Sequence, residues 1–147
     1  MKKKVAALTI LLVLVALLSG CLESETPSYV LTDFEAEPSK IKPGDTVNFK
    51  VTITNFGDET TPADKFAVGV KMITKGAKEY WNIQEQKMIT PLNPKGTAVF
   101  EFPAESAPNT PSGDSTFKVY LYWLDTGEET DLTGDWSVND EIDVYVS

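Results

Sequence analysis

Apolar and polar residues alternate with period two through most of the chain beyond Tyr29. The clearest run is DTVNFKVTITN, in which Val47, Phe49, Val51 and Ile53 fall on one side and Asn48, Lys50, Thr52 and Thr54 on the other. Successive side chains of a strand point to opposite faces, so this segment reads as a strand with one face in a core and one in water. The pattern recurs in KFAVGVKMI (Phe66, Val68, Val70, Met72), in FKVYLYW (Phe117, Val119, Leu121, Trp123) and in EIDVYVS (Ile142, Val144, Val146). Shorter candidates are YVLTDFEAE, EYWNIQEQKMI and GTAVFEF. Pro, Gly, Asn and Asp punctuate the gaps, and no segment carries a helical period. The pattern predicts one all-β domain over residues 29–147, built of about seven strands in two packed sheets.

The chain before Tyr29 follows a different rule. Lys2, Lys3 and Lys4 precede a run from Val5 to Leu18 that is almost wholly apolar. A positive start and an apolar stretch shorter than the ~20 residues needed to cross a bilayer predict an export signal over residues 1–20. The signal ends at Leu18-Ser19-Gly20-Cys21, which resembles the lipobox of prokaryotic lipoproteins. That resemblance implies cleavage before Cys21 and a diacylglyceryl group on its thiol, so that membrane lipid is the first expected partner. An ordinary signal peptide followed by an unmodified cysteine, or an uncleaved anchor helix, are the alternatives, and each still exports the domain. Leu22 to Ser28, rich in Glu, Ser, Thr and Pro, reads as a tether, so residues 21–28 join the anchor to the domain. The expected location is therefore outside the cytoplasm, on the cell membrane or in the envelope.

Removing residues 1–20 leaves 127 of the 147 residues, enough for one domain with a substantial core. It also leaves ten lysines against 22 acidic residues, a net charge of −12. Such a surface repels phosphate backbones and anionic head groups, which excludes nucleic acid as a partner and leaves membrane attachment to lipid. With one cysteine no intramolecular disulfide forms, so stability comes from packing. The chain has neither His nor Arg. The commonest general base and the commonest phosphate clamp are missing, and histidine-dependent triads and zincin motifs are impossible.

PSKIKPGDTVNFKVTITNFGD joins Pro43-Gly44, the alternating run and Asn55-Phe56-Gly57 in a way that resembles the second strand of CARDB-type domains. That family is immunoglobulin-like, named for cell adhesion and found in prokaryotic surface proteins. PSGDSTFKVYLYWLD is similar to its late strand, and EIDVYVS is expected to close an immunoglobulin-like antiparallel β-sandwich. The acidic insert from Thr126 to Trp136, which separates these last two strands, departs from the family's usual pattern. The resemblance implies binding or spacing at the cell surface without catalysis. On the residues themselves, Pro-Gly turns the chain into the strand and Asn-x-Gly ends it where a positive φ is expected.

Few residues present chemistry. Ser115-Thr-Phe-Lys118 has the S-x-x-K spacing of penicillin-binding enzymes, but in a strand the two side chains point to opposite faces, and the partner motifs are absent. In LDTGEETDLTGDW, Asp125, Glu128, Glu129, Asp131 and Asp135 supply oxygens of the kind Ca²⁺ takes, without the Asp-x-Asp-x-Asp-Gly spacing. A solvated acidic loop is the plainer reading of residues 125–135, and no cofactor is expected. Aromatics are the remaining hint. With Val119 and Leu121 in the core, Tyr120 and Tyr122 are expected on the opposite face, where Tyr80 and Trp81 extend a platform for a sugar ring or a partner protein. Cover by a neighbouring loop is the alternative. The expected function is a non-catalytic, lipid-anchored binding or adhesion module with a protein or glycan partner. A structural subunit of a surface layer or membrane complex is the second reading, and a carboxylate-dependent hydrolase the third.

Overall fold

The computed structural model describes residues 28–83, 86–132, 134–135 and 137–147. Cys21 and the expected signal and tether lie outside them. Ten strands form: β1 (Tyr29–Glu37), β2 (Lys40–Ile41), β3 (Thr46–Asn55), β4 (Phe66–Met72), β5 (Trp81–Ile83), β6 (Gln86–Met88), β7 (Thr97–Ser106), β8 (Gly113–Trp123), β9 (Glu129–Asp131) and β10 (Glu141–Val146). They make two sheets, one in the order β1-β3-β7-β5, the other β2-β10-β8-β4-β6 with β9 also paired to β8. All pairings are antiparallel except that of β2 with β10. The chain is therefore an all-β sandwich. Among the described residues no helix is long and apolar enough to cross a membrane.

The alternating residues close the two sheets on each other. Val47, Phe49, Val51 and Ile53 of β3 are fully buried, as are Val68 and Val70 of β4 and Phe117 and Val119 of β8. Aromatic rings bridge the sheets. Phe117 stands between Phe49, 4.4 Å away between ring centroids, and Trp81, 4.9 Å away and edge-to-face. Phe66 lies 5.5 Å from Tyr29 and 4.7 Å from Trp123. Tilted and edge-to-face pairs of this kind add to the burial of the rings themselves.

Four long strands fall where the alternation puts them, and the count rises from about seven to ten because short segments pair separately. EYWNIQEQKMI, expected as one strand, divides. Lys78–Tyr80 makes a single 3₁₀ turn, Trp81–Ile83 pairs with β7 in one sheet, and Gln86–Met88 pairs with β4 in the other. Pro103 limits the pairing of β5 with β7. The backbone of Glu105 faces Asn82 and that of Ala107 faces Tyr80, so position 103 is the next to face β5, and proline has no N–H to offer there. The β5 ladder ends at Ala104, and the next described strand, β6, pairs in the opposite sheet.

The two turn motifs act differently. Gly44 has φ +91°, as a tight turn entering β3 requires, and Ser106 fastens it by accepting from Gly44 N–H and donating to the Asp45 carbonyl. Gly57, by contrast, is not at positive φ. It is glycine because a Cβ there would lie 2.5 Å from Ser28 Oγ.

Tyr29 carries a buried hydroxyl that lies beside the Thr61 hydroxyl without a well-formed hydrogen bond to it. Burial pushes its pKa above the ordinary 10.0, and the Thr61 hydroxyl partly offsets this. A raised folded-state pKa means that the stabilisation held below 10.0 is lost as pH rises through the folded value. Tyr29→Phe is therefore expected to hold or raise stability at pH 7 by up to about 1 kcal/mol and to soften the alkaline loss above pH 10. Urea unfolding at the two pH values measures both. A clear destabilisation at pH 7 shows that the hydroxyl is bonded.

Candidate functional site

The outer face of the larger sheet is where strand geometry gathers polar and aromatic groups. Gly69 of β4 pairs with Tyr120 of β8, and Lys71 pairs with Lys118. Gly69 sets no side chain of its own next to the Tyr120 ring on this face. The Lys71 ammonium sits over that ring, 4.9 Å from its centroid, and is held there by an ion pair with Glu129 of β9. One strand further, Lys118 lies 3.0 Å from Asp131 and 3.4 Å from Asp140. The bond to Asp131 raises the Lys118 pKa above its ordinary 10.5, loss of hydration opposes this, and the Asp140 charge adds to it.

This arrangement corrects the expectation of an open aromatic platform. Tyr120 is only 4% exposed, covered by Lys71 and the edge of β9. Trp81 is 8% exposed, its ring packed on Phe117 in the core. Tyr122 is half-buried, and its hydroxyl lies against Gly127 in the β8–β9 turn. Tyr80 packs against the core, and its carbonyl accepts from Ala107 N–H at 2.7 Å. Cover by a neighbouring strand and turn is what the structure shows for the two β8 tyrosines.

Trp81 and Tyr120 nevertheless meet. Both line a cleft of about 260 Å³ between the end of β4 and β5. Its polar rim is Lys71, Lys78, Asn82, Gln86 and Glu129, none of which alternation alone singles out. Nothing local in the sequence marks them, because they come together only through the pairing of β4, β5, β6 and β9. Trp81 also brings a buried indole N–H with no hydrogen-bond partner among the described residues. Tyr80 lines a separate shallow recess with Trp81, and Tyr122 lines neither.

The acidic insert is taken up by the sheet. Glu129 and Asp131 belong to β9 and engage Lys71 and Lys118, while the Asp135 N–H donates to the Leu31 carbonyl. Among the described residues, no three His, Cys, Asp or Glu side chains are grouped to hold a metal ion. Ser115 is buried on the core face of β8, and Lys118 is on the outer face, so the S-x-x-K pair is divided by the sheet.

No family model matches the chain, and no curated protein matches it. Solved structures share its fold. The CARDB domain of PF1109 from Pyrococcus furiosus is 18% identical with a TM-score of 0.52, over 83% of this chain and 96% of that one. E. coli alpha-2-macroglobulin is 16% identical with a TM-score of 0.54. The match covers 82% of this chain and spans 7% of that much longer one. AvmM, which catalyses macrocyclization in alchivemycin A biosynthesis, is 14% identical with a TM-score of 0.54, over 82% of this chain and 89% of that one. One architecture thus serves proteins of different kinds, and what this chain does is carried by its own residues.

Trp81 as a packing residue and Asn82 as a rim residue separate cleanly in stability. Trp81→Ala is expected to cost about 3–5 kcal/mol. Asn82→Ala is expected to change stability by no more than about 0.5 kcal/mol. Denaturant unfolding of the two variants checks this, and a near-neutral Trp81→Ala shows a surface platform instead.

Proposed function

We propose that the protein is a non-catalytic β-sandwich module, tethered to the membrane by lipid on Cys21, that engages a protein partner through the cleft bounded by Lys71, Lys78, Asn82 and Glu129. The observation that carries this reading is the placement of the cleft relative to the chain's exit. Ser28 lies at one end of the sandwich, bonded to Phe56 just beyond β3. Trp81 pairs with Ser106, which bonds Asp45 at the start of β3, so the cleft belongs to the half remote from Ser28. A tether at Ser28 holds one end near the membrane and turns the cleft outward.

The chemistry of the cleft favours protein over glycan. A sugar ring is gripped by open aromatic faces, and the faces of Trp81 and Tyr120 are covered. What remains accessible is a rim of cationic, anionic and amide groups, which suits the backbone and side chains of a polypeptide. The absence of His and Arg from the whole chain supports a role without catalysis.

A photo-crosslinking residue placed at Lys78 or Asn82 in living cells tests the reading. A discrete protein adduct from both positions, absent when the crosslinker replaces Glu35 on β1 of the other sheet, is the expected result. A stoichiometric adduct with an abundant envelope protein makes the module a subunit of that assembly. No adduct from the cleft, or equal adducts from all three positions, contradicts the assignment.

A further inference from the structure

The end of the sandwich where the chain departs toward Cys21 presents an aromatic side chain that the core does not use. Phe56 is 59% exposed. Its N–H donates to the Ser28 carbonyl at 3.0 Å, so it sits at the exit itself. The loop that carries it is pinned from below. Asn55 is completely buried, and its Nδ2 donates to the carbonyls of Glu59 at 2.7 Å and Leu92 at 3.0 Å. Its Oδ1 accepts from Gly57 N–H at 2.9 Å, and Gly57 in turn packs against Ser28 too closely to admit a Cβ. Phe56 is thus held outward in a fixed relation to the exit. Leu124, also exposed, lies at the same end, where its N–H donates to the Lys65 carbonyl just before β4.

We propose that this end of the domain rests on the lipid surface, with the Phe56 ring seated in the interface between head groups and acyl chains. The proposal rests on lipid attachment at Cys21. Seven residues lead from Cys21 to Ser28, which holds Ser28 within about 25 Å of the bilayer. The acidic domain, with Asp58 and Glu59 exposed beside Phe56, is repelled by anionic head groups, so the contact is apolar and made with neutral lipid. With Phe56 seated, the module stands upright and its remote cleft stays clear of the membrane.

The test uses the full lipoprotein, extracted from its own membranes and placed in phosphatidylcholine vesicles containing brominated lipid. F56W adds a fluorophore at the loop while keeping an aromatic ring, and K75W adds one to the exposed β4–β5 connection at the far end. The fluorescence added by F56W is expected to fall about twofold with brominated lipid, as for a side chain in the interface, and that added by K75W to stay constant. Intact mass of the same sample reports the lipid. Lipidated protein with no quenching of F56W, or with equal quenching of both variants, overturns the membrane contact and leaves the anchor standing. A blue shift of F56W in native membranes that is missing in the vesicles assigns the ring to a membrane protein and likewise overturns it. Unmodified Cys21 removes the anchor and the proposal together.

Discussion

Phe117 lies between Phe49 of the opposite sheet and Trp81 at that sheet's edge, with ring centroids 4.4 and 4.9 Å away, and the sandwich closes on this contact. A chain with a single cysteine has no internal disulfide to hold two sheets together, so inter-sheet burial bears the load. Placing Trp81 there has two effects. It anchors the short strand β5 to the core, and it brings the next residues, Asn82 and Ile83, to the wall of the cleft.

The outer face of the larger sheet follows from the same arrangement. Once Val119 and Leu121 point inward, Tyr120 must point outward, and an uncovered aromatic strand face is an association hazard. Lys71 and the short strand β9 cover it, with Glu129 fixing the lysine in place. The acidic insert therefore has a structural use. Its carboxylates Glu129 and Asp131 pair with the lysines of the sheet face, and one of these pairs, Lys71 with Glu129, also forms part of the rim of the cleft.

Much of this was legible in the sequence. The core of β3 follows the alternation residue by residue, and the core sides of β4, β8 and β10 are those it assigns, although Ala67 and Tyr120 on the outer face of the larger sheet are buried as well. The division of EYWNIQEQKMI was not legible, since β5 and β6 find their partners, β7 and β4, in different sheets, which local periodicity does not reveal. The cover over Tyr120 depends on Lys71 and Glu129, 58 residues apart, which local periodicity does not connect. Gly57 shows a subtler difference. Asn-x-Gly does end the strand, but it does so through the buried Asn55 amide and the closeness of Ser28, with no positive φ. Only Trp81 and Tyr120 of the cleft were legible, because its polar rim is assembled from five elements, β4, the 3₁₀ turn, β5, β6 and β9.

On the proposed reading the two ends of the sandwich have different neighbours, membrane at the Ser28 end and a protein at the cleft. Amide hydrogen exchange tests the cleft's part in this, by comparing the protein in native membranes with the same protein purified in detergent. Amides of residues 70–72 and 78–83 are expected to exchange more slowly in native membranes, where the partner is present, while the exposed face of β1 is unchanged. Equal exchange at the cleft in both preparations, or protection confined to β1, would contradict it.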